Sequence, residues 1–201
     1  DHLNRDFSLL TQVQGILLDG HFVFEHTARN RSKAFFNFSG TAGMWRVAAI
    51  ADAGGWQHDT ITEDADLSYR AQLNGWKGVY LKDLVVPAEL PVDVNAFKSQ
   101  QHRWAKGNAQ VIRKLLKTIW TSDASFHTKM ECWFHLSANC NYLLMVVLAV
   151  LMVPCMIIRA GTPATTLLMT DGPFFLLNAV SVGLYFGLSQ KELEDNRGWT
   201  T

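Results

Sequence analysis

The chain has 201 residues, 18 basic and 18 acidic, for a formal net charge of zero. That balance excludes the broad electrostatic attraction expected of a nucleic-acid binder and gives no reason to invoke an acidic partner. Its 48 % hydrophobic content is ordinary in amount but uneven in place: residues 1–131 mix charged and apolar positions like a soluble domain, whereas residues 132–158 contain no Asp, Glu, Lys or Arg.

The three cysteines, Cys132, Cys140 and Cys155, all lie in that uncharged stretch. None has metal-ligand spacing with another Cys or His, so they read as reduced core or membrane thiols, compatible with a chain facing the cytoplasm. Residue 1 is Asp, without a basic-then-apolar leader, and the last residues follow soon after an apolar segment. The expectation is a piece of a longer protein.

Residues 4–26 carry Leu9, Leu10, Val13, Ile16, Leu17, Phe22 and Val23 near helical spacing, which predicts an amphipathic helix broken near Gly20. Residues 28–32 are polar and basic and read as a loop. Residues 34–38, Ala-Phe-Phe-Asn-Phe, predict a short strand running into the small-residue turn Ser39-Gly40-Thr41-Ala42-Gly43. Such a turn lets backbone approach a ligand, because glycine has no Cβ to clash; a plain strand-to-helix turn has the same composition. A helix over 44–53 should end at Gly54-Gly55. Thr62 is placed to cap a helix over 63–74, with Gly75 as its stop. Residues 76–81 and 84–88 are further strand candidates, split by Lys82-Asp83 and bounded by Pro87 and Pro91.

From residue 94 to 122 there is no acid, while Lys98, Arg103, Lys106, Arg113, Lys114 and Lys117 give +6. Val111, Leu115, Leu116, Ile119 and Trp120 fall on one helical face. A basic amphipathic helix of this kind is expected to lie on a membrane surface, the alternative being an ordinary helix with a solvated face. Residues 142–158 are apolar, with one proline, Pro154. Extended toward Ser137, they approach the roughly 20 residues that cross a bilayer. Residues 165–189 form a second predicted span, with Asp171 near its start, where a charge belongs at the interface. The cations before Cys132 put the N-terminal part inside by the positive-inside rule.

Three separated stretches could build a sugar-transferring site. Asp64, in Thr62-Glu63-Asp64, could take the proton from an acceptor hydroxyl. Arg103 could hold a departing diphosphate through its guanidinium fork. Trp104 could stack on a sugar ring. Each alone has a plainer explanation: first-turn acids complement the helix dipole, and an Arg-Trp pair anchors helices at membrane interfaces. A glycoside hydrolase using Glu63 and Asp64 is disfavoured, because its two carboxylates stand at least about 5 Å apart across the scissile bond.

Taken in order, Phe38-Ser39-Gly40-Thr41-Ala42-Gly43-Met44-Trp45-Arg46, Thr62-Glu63-Asp64 and Gln100-Gln101-His102-Arg103-Trp104, followed by apolar spans, resemble the family-2 inverting glycosyltransferases. These are membrane-embedded processive synthases of cellulose, mannan, chitin and hyaluronan type, and the β-mannan and glucomannan branch is the nearest in look. The resemblance implies an α/β fold: residues 1–93 as the C-terminal half of a GT-A domain, 94–131 as amphipathic interface helices, 132–189 as two transmembrane helices and 190–201 as a cytoplasmic tail. It implies Asp64 as general base with Glu63 beside it, Gly40, Thr41 and Trp104 at the acceptor, and Gln100 and Arg103 toward the diphosphate. The donor would be a nucleotide sugar of GDP-mannose or UDP-glucose type, the acceptor a polysaccharide, and the setting the inner (plasma) membrane with a cytoplasmic catalytic domain. The family's Asp-x-Asp metal motif is absent before Gly40, so Mg²⁺ or Mn²⁺ is expected in the full-length enzyme on upstream ligands, with no metal site here. Asp64-Ala65-Asp66 has the spacing but lies inside the Thr-Glu-Asp element. A non-processive transferase acting on a lipid-linked acceptor and a non-catalytic export subunit are the alternative readings.

Overall fold

The computed structural model describes residues 2–40 and 42–197, the last four of these by backbone alone. The chain divides into two compact units, Asp1–Asn139 and Cys140–Thr201.

Unit 1 begins with helix α1, Leu9–Asp19. Its N-terminus is closed by two hydroxyls: the Thr11 N–H donates to Ser8 Oγ at 3.2 Å, and the Ser8 N–H donates to Thr11 Oγ1 at 2.9 Å. The helix does not break at Gly20. It widens into a π-helical stretch, Gly20–His26, and continues as α2, Thr27–Arg31. Five-residue spacing brings His21 and His26 onto one face, where their Nε2 atoms are 2.9 Å apart. Residues 28–31 of the expected loop are therefore helical. The side chain of Arg29 explains why: it is buried, and it bonds Glu25 Oε1 one turn back at 3.1 Å and Glu131 Oε2 at 3.5 Å.

Three helices of unit 1 end in the same hydrogen-bond pattern, the residue two past the cap bonding back to the third-last helical carbonyl. Ala34 N–H bonds Arg29 O, Gly55 N–H bonds Ile50 O, and Trp76 N–H bonds Ala71 O. The pivot must be left-handed. Gly54 and Gly75 fill it at φ 81° and 88°, but Lys33 fills it at φ 59°. Lys33→Gly is expected to raise the thermal unfolding midpoint of the detergent-purified protein by removing about 1 kcal/mol of left-handed backbone cost. Lys33→Ala should not.

Helix α3, Val47–Asp52, is shorter at its start than the sequence suggests, and α4 spans Glu63–Leu73. Thr62 holds the cap position of α4, but its hydroxyl makes no cap bond and is buried without a partner. The long helix α5, Val94–Thr121, is capped by Asp93, whose carboxylate accepts from the Asn95 and Ala96 N–H groups, and is followed by α6, Phe126–Ser137.

The expected strands do not pair. Among the described residues no β-ladder forms, and an isolated parallel bridge joins His2 to Ala88. Backbone polar groups still need partners, and side chains supply them. Phe36 N–H donates to Gln72 Oε1 at 3.2 Å, and Phe36 O accepts from Ser68 Oγ and Gln72 Nε2, both at 2.8 Å. Gly78 O accepts from Asn30 Nδ2 at 3.0 Å. The described fold is helical with extended connections, and the expected α/β layering is not formed within it.

The core joins α4, α5 and α6 through Ala65, Tyr69, Val111, Leu115, Ile119, Cys132 and Leu136. Val111, Leu115 and Ile119 of the predicted apolar face are 0 %, 5 % and 1 % exposed, covered by other helices of the domain, while Trp120 of the same face is 40 % exposed. Cys132 and Leu136, at the start of the uncharged stretch, are buried in the same core. A second cluster, Ala53, Leu67 and Ala71 packed by Trp45, Ile50 and Trp76, anchors α3 on α4.

Unit 2 holds α7, Asn141–Arg159, and α8, Ala164–Arg197, with Pro154 and Pro173 inside them. By length and composition there are two candidate membrane spans among the described residues, Phe126–Arg159 and Ala164–Leu193. Arg159 Nη2 and Asp171 Oδ2 are 2.6 Å apart, so the two charges flanking the connection neutralise one another. All three cysteines are free thiols.

Candidate active site

Asp64 is the second residue of α4, half-buried, in the turn where the helix dipole favours negative charge. Its Oδ1 accepts from the Ala65 N–H at 2.8 Å, and its carboxylate also accepts from the Gly40 N–H. Gly40 has φ 41°, and a Cβ there would stand 3.2 Å from Asp64 Oδ2. Two stretches separated in sequence are thus in direct contact, and a glycine makes the contact possible. Burial raises the Asp64 pKa, the neighbouring Glu63 charge adds to this, and the Ala65 and Gly40 N–H groups partly oppose it. A carboxylate of raised pKa is a stronger proton acceptor once ionised.

Glu63, though adjacent, has different surroundings. It is exposed and lines an open cleft of about 470 Å³ with Trp56, His58, Asp59 and Gln110. Asp66 differs again: it is fully buried, with Oδ2 2.8 Å from Arg70 Nη2 and Oδ1 3.0 Å from Lys114 Nζ. A carboxylate held by two cations on the inner side of α4 is not available to share a divalent ion with Asp64. Among the described residues no cluster of three or more His, Cys, Asp or Glu could hold a metal, so the residues present do not fit one.

Helix α5 lies along the start of α4, Thr62-Glu63-Asp64. Gly107 is buried against Thr62, where a Cβ would stand 2.9 Å from Thr62 Cβ and 2.5 Å from its Oγ1. One turn on, Gln110 Oε1 accepts from the Ile61 N–H at 2.8 Å. At 100° per residue, Gln100, Arg103 and Trp104 point within about 20°, 40° and 60° of Gly107 on the helical wheel. They therefore continue, one to two turns earlier, the face that α5 applies to the α4 start. Gln100 and Trp104 are half-buried and Arg103 is exposed. Among the described residues none of the three hydrogen-bonds Asp64. Thr41 lies outside the described residues.

Aromatic rings back the Gly40 turn. Phe38 packs on Gly43, its centroid is 5.2 Å from Trp45, and Trp45 meets Trp56 edge-on at 6.3 Å. Two contributors escape a motif reading. Gly107 carried one signal, a glycine inside a helix at about 1 kcal/mol cost relative to alanine. Lys114 carried another, a cation one residue from the apolar stripe Val111-Leu115.

A family model described as Glycosyl transferase family group 2 matches residues 8–170. Glucomannan 4-beta-mannosyltransferase 2 of Arabidopsis thaliana is 50 % identical over 117 residues, 58 % of this chain and 22 % of that protein. Probable glucomannan 4-beta-mannosyltransferase 11 of Oryza sativa subsp. japonica is 45 % identical over 133 residues, 66 % of this chain and 23 % of that protein. Glucomannan 4-beta-mannosyltransferase 1 of Oryza sativa subsp. japonica is 50 % identical over 117 residues, 58 % of this chain and 22 % of that protein. The chain spans less than a quarter of the length of each of these relatives. No solved structure matches it.

Proposed function

This chain belongs to Glycosyl transferase family group 2, and we propose that its full-length protein transfers a hexose from a nucleotide sugar to the growing end of a β-linked polysaccharide, with inversion and with export through the membrane. The observation that carries this reading is the contact of the Gly40 turn with Asp64: a base of raised pKa beside a backbone with no side chain to block a sugar. Asp64 takes the acceptor hydroxyl proton as that oxygen attacks the anomeric carbon. The carbon–oxygen bond to the diphosphate breaks, and the nucleoside diphosphate leaves with the electron pair. Gln100 and Arg103 meet the diphosphate, while Gly40, Thr41 and Trp104 bound the acceptor ring.

In this reading residues 1–93 are part of a GT-A domain on the cytoplasmic side of the plasma membrane, α5 runs at the interface, and unit 2 crosses the bilayer. The divalent ion that the family implies finds no site among the described residues. Its ligands are assigned to the rest of the full-length protein, and no step here runs through it.

Incubating the full-length membrane protein with GDP-mannose, UDP-glucose and other nucleotide sugars, followed by sizing of the product, tests the function. A β-linked polymer from one donor is the expected result. Single-sugar products on a lipid carrier would show a non-processive transferase, and no transfer from any donor would show an export role without catalysis. A second expectation concerns pH. Glu63 helps to raise the Asp64 pKa, so Glu63→Gln should move the acid limb of the kcat/KM profile to lower pH. An unmoved limb would separate that ionisation from Asp64.

A further inference from the structure

Asp66 and Lys114 form a charged junction inside unit 1. The Lys114 ammonium has three N–H donors and meets three acceptors from two segments: Gln57 Oε1 at 2.6 Å, Asp59 Oδ1 at 2.7 Å and Asp66 Oδ2 at 3.0 Å. Asp66 has no solvent exposure and also pairs with Arg70, whose Nη2 donates to Gly55 O at 2.9 Å and whose Nη1 donates to Ala53 O. One buried carboxylate therefore fastens the end of α3, the 55–59 loop, α4 and α5 together. Asp66 follows Asp64 by two residues on α4. Lys114 follows Arg103 by eleven on α5, three turns along nearly the same face.

We propose that Lys114, through Asp66 and Asp59, is a positioning residue that sets the distance between Asp64 on α4 and the Gln100–Trp104 face of α5. This rests on the transferase reading above. The apolar core that α4 and α5 share, with Tyr69 and Val111 among its members, holds the helices together but tolerates sliding. A salt bridge with three defined acceptors fixes the rotation and register of α5 against the loop. Lys114 touches no reacting atom in this scheme. Its effect is on geometry, where a misplacement of about 1 Å costs roughly 10²-fold in rate.

The test uses the full-length membrane protein, with Lys114→Met, Lys114→Arg, Asp59→Asn and Asp64→Asn, and reads donor KM, kcat and the folded fraction by size exclusion. Lys114→Met is expected to lower kcat by about 10- to 100-fold with donor KM within about threefold, and Lys114→Arg to recover most of it. Asp59→Asn, on an exposed loop, should fold normally and lower kcat in the same direction by less. In the Asp64→Asn background, Lys114→Met should add little, because a base that is absent cannot be misplaced; a loss of fold would multiply through both backgrounds. If Lys114→Met does not fold, Asp59→Asn decides, and an unchanged kcat overturns the proposal. Wild-type kcat in folded Lys114→Met overturns it too. Full activity of Asp64→Asn would instead overturn the transferase reading beneath it.

Discussion

Asp64→Asn in the full-length protein is expected to cut polymer synthesis by about 10²- to 10⁴-fold, the usual contribution of a positioned general base. The substitution keeps one oxygen, which can still accept from the Ala65 N–H, so the helix start should survive it. What is lost is the ability to take a proton. Donor binding should be near normal, and kcat should carry the defect. Measuring kcat and donor KM separately checks this. Asp66→Asn gives the contrast: with the partner of Arg70 and Lys114 weakened in a fully buried place, the folded fraction should fall as well. Equal behaviour of the two variants would mean that Asp64, like Asp66, is structural.

Gly107→Ala is the second large expectation, and its sign comes from two opposed magnitudes. In an open helix interior, replacing glycine by alanine stabilises by about 1 kcal/mol. Here the new Cβ meets the Thr62 side chain, including its Cβ at 2.9 Å. Overpacking of that kind costs about 1–3 kcal/mol, and a Cβ atom cannot swing aside as the end of a long side chain can. The clash wins. Because Thr62 immediately precedes Glu63-Asp64, the displacement reaches the proposed base directly, and activity should fall by about 10²-fold. Thr62→Ala removes Oγ1 and Cγ2 but leaves Cβ, so Gly107→Ala/Thr62→Ala should recover part of the loss. A fully active Gly107→Ala variant would show that α5 does not set the position of the α4 start, Thr62-Glu63-Asp64.

Gly40 and Asp64, which the structure puts in contact, belong to two motifs of one ordered set. The contact between Gly107 and Thr62 has no motif behind it, although Gly107 is only three residues past Trp104. A motif marks residues that meet a ligand, whereas Gly107 works by lacking a side chain where two backbones cross. Asp66 is the opposite case. Its spacing from Asp64 suits a metal motif, yet α4 turns it inward to Arg70 and Lys114. Thr62 was placed at the correct cap position, but its hydroxyl is buried against α5 rather than returned to its own helix.

By itself, the sequence determined what depends on neighbours a few residues away. Gly54 and Gly75 stop their helices because the left-handed pivot suits glycine. The long apolar stretches mark helices long and apolar enough for a bilayer, and the ordered motifs mark the family. Only the tertiary structure decided which surface covers each face. The stripe Val111-Leu115-Ile119 needs an apolar partner, and a membrane and a neighbouring helix satisfy it equally; α4 and α6 take that place. Residues 34–38 are extended as their composition requires, but a ladder needs a second strand, and Ser68 and Gln72 bind their backbone instead. Helical periodicity sets which side chains share a face, and long-range packing sets what that face meets.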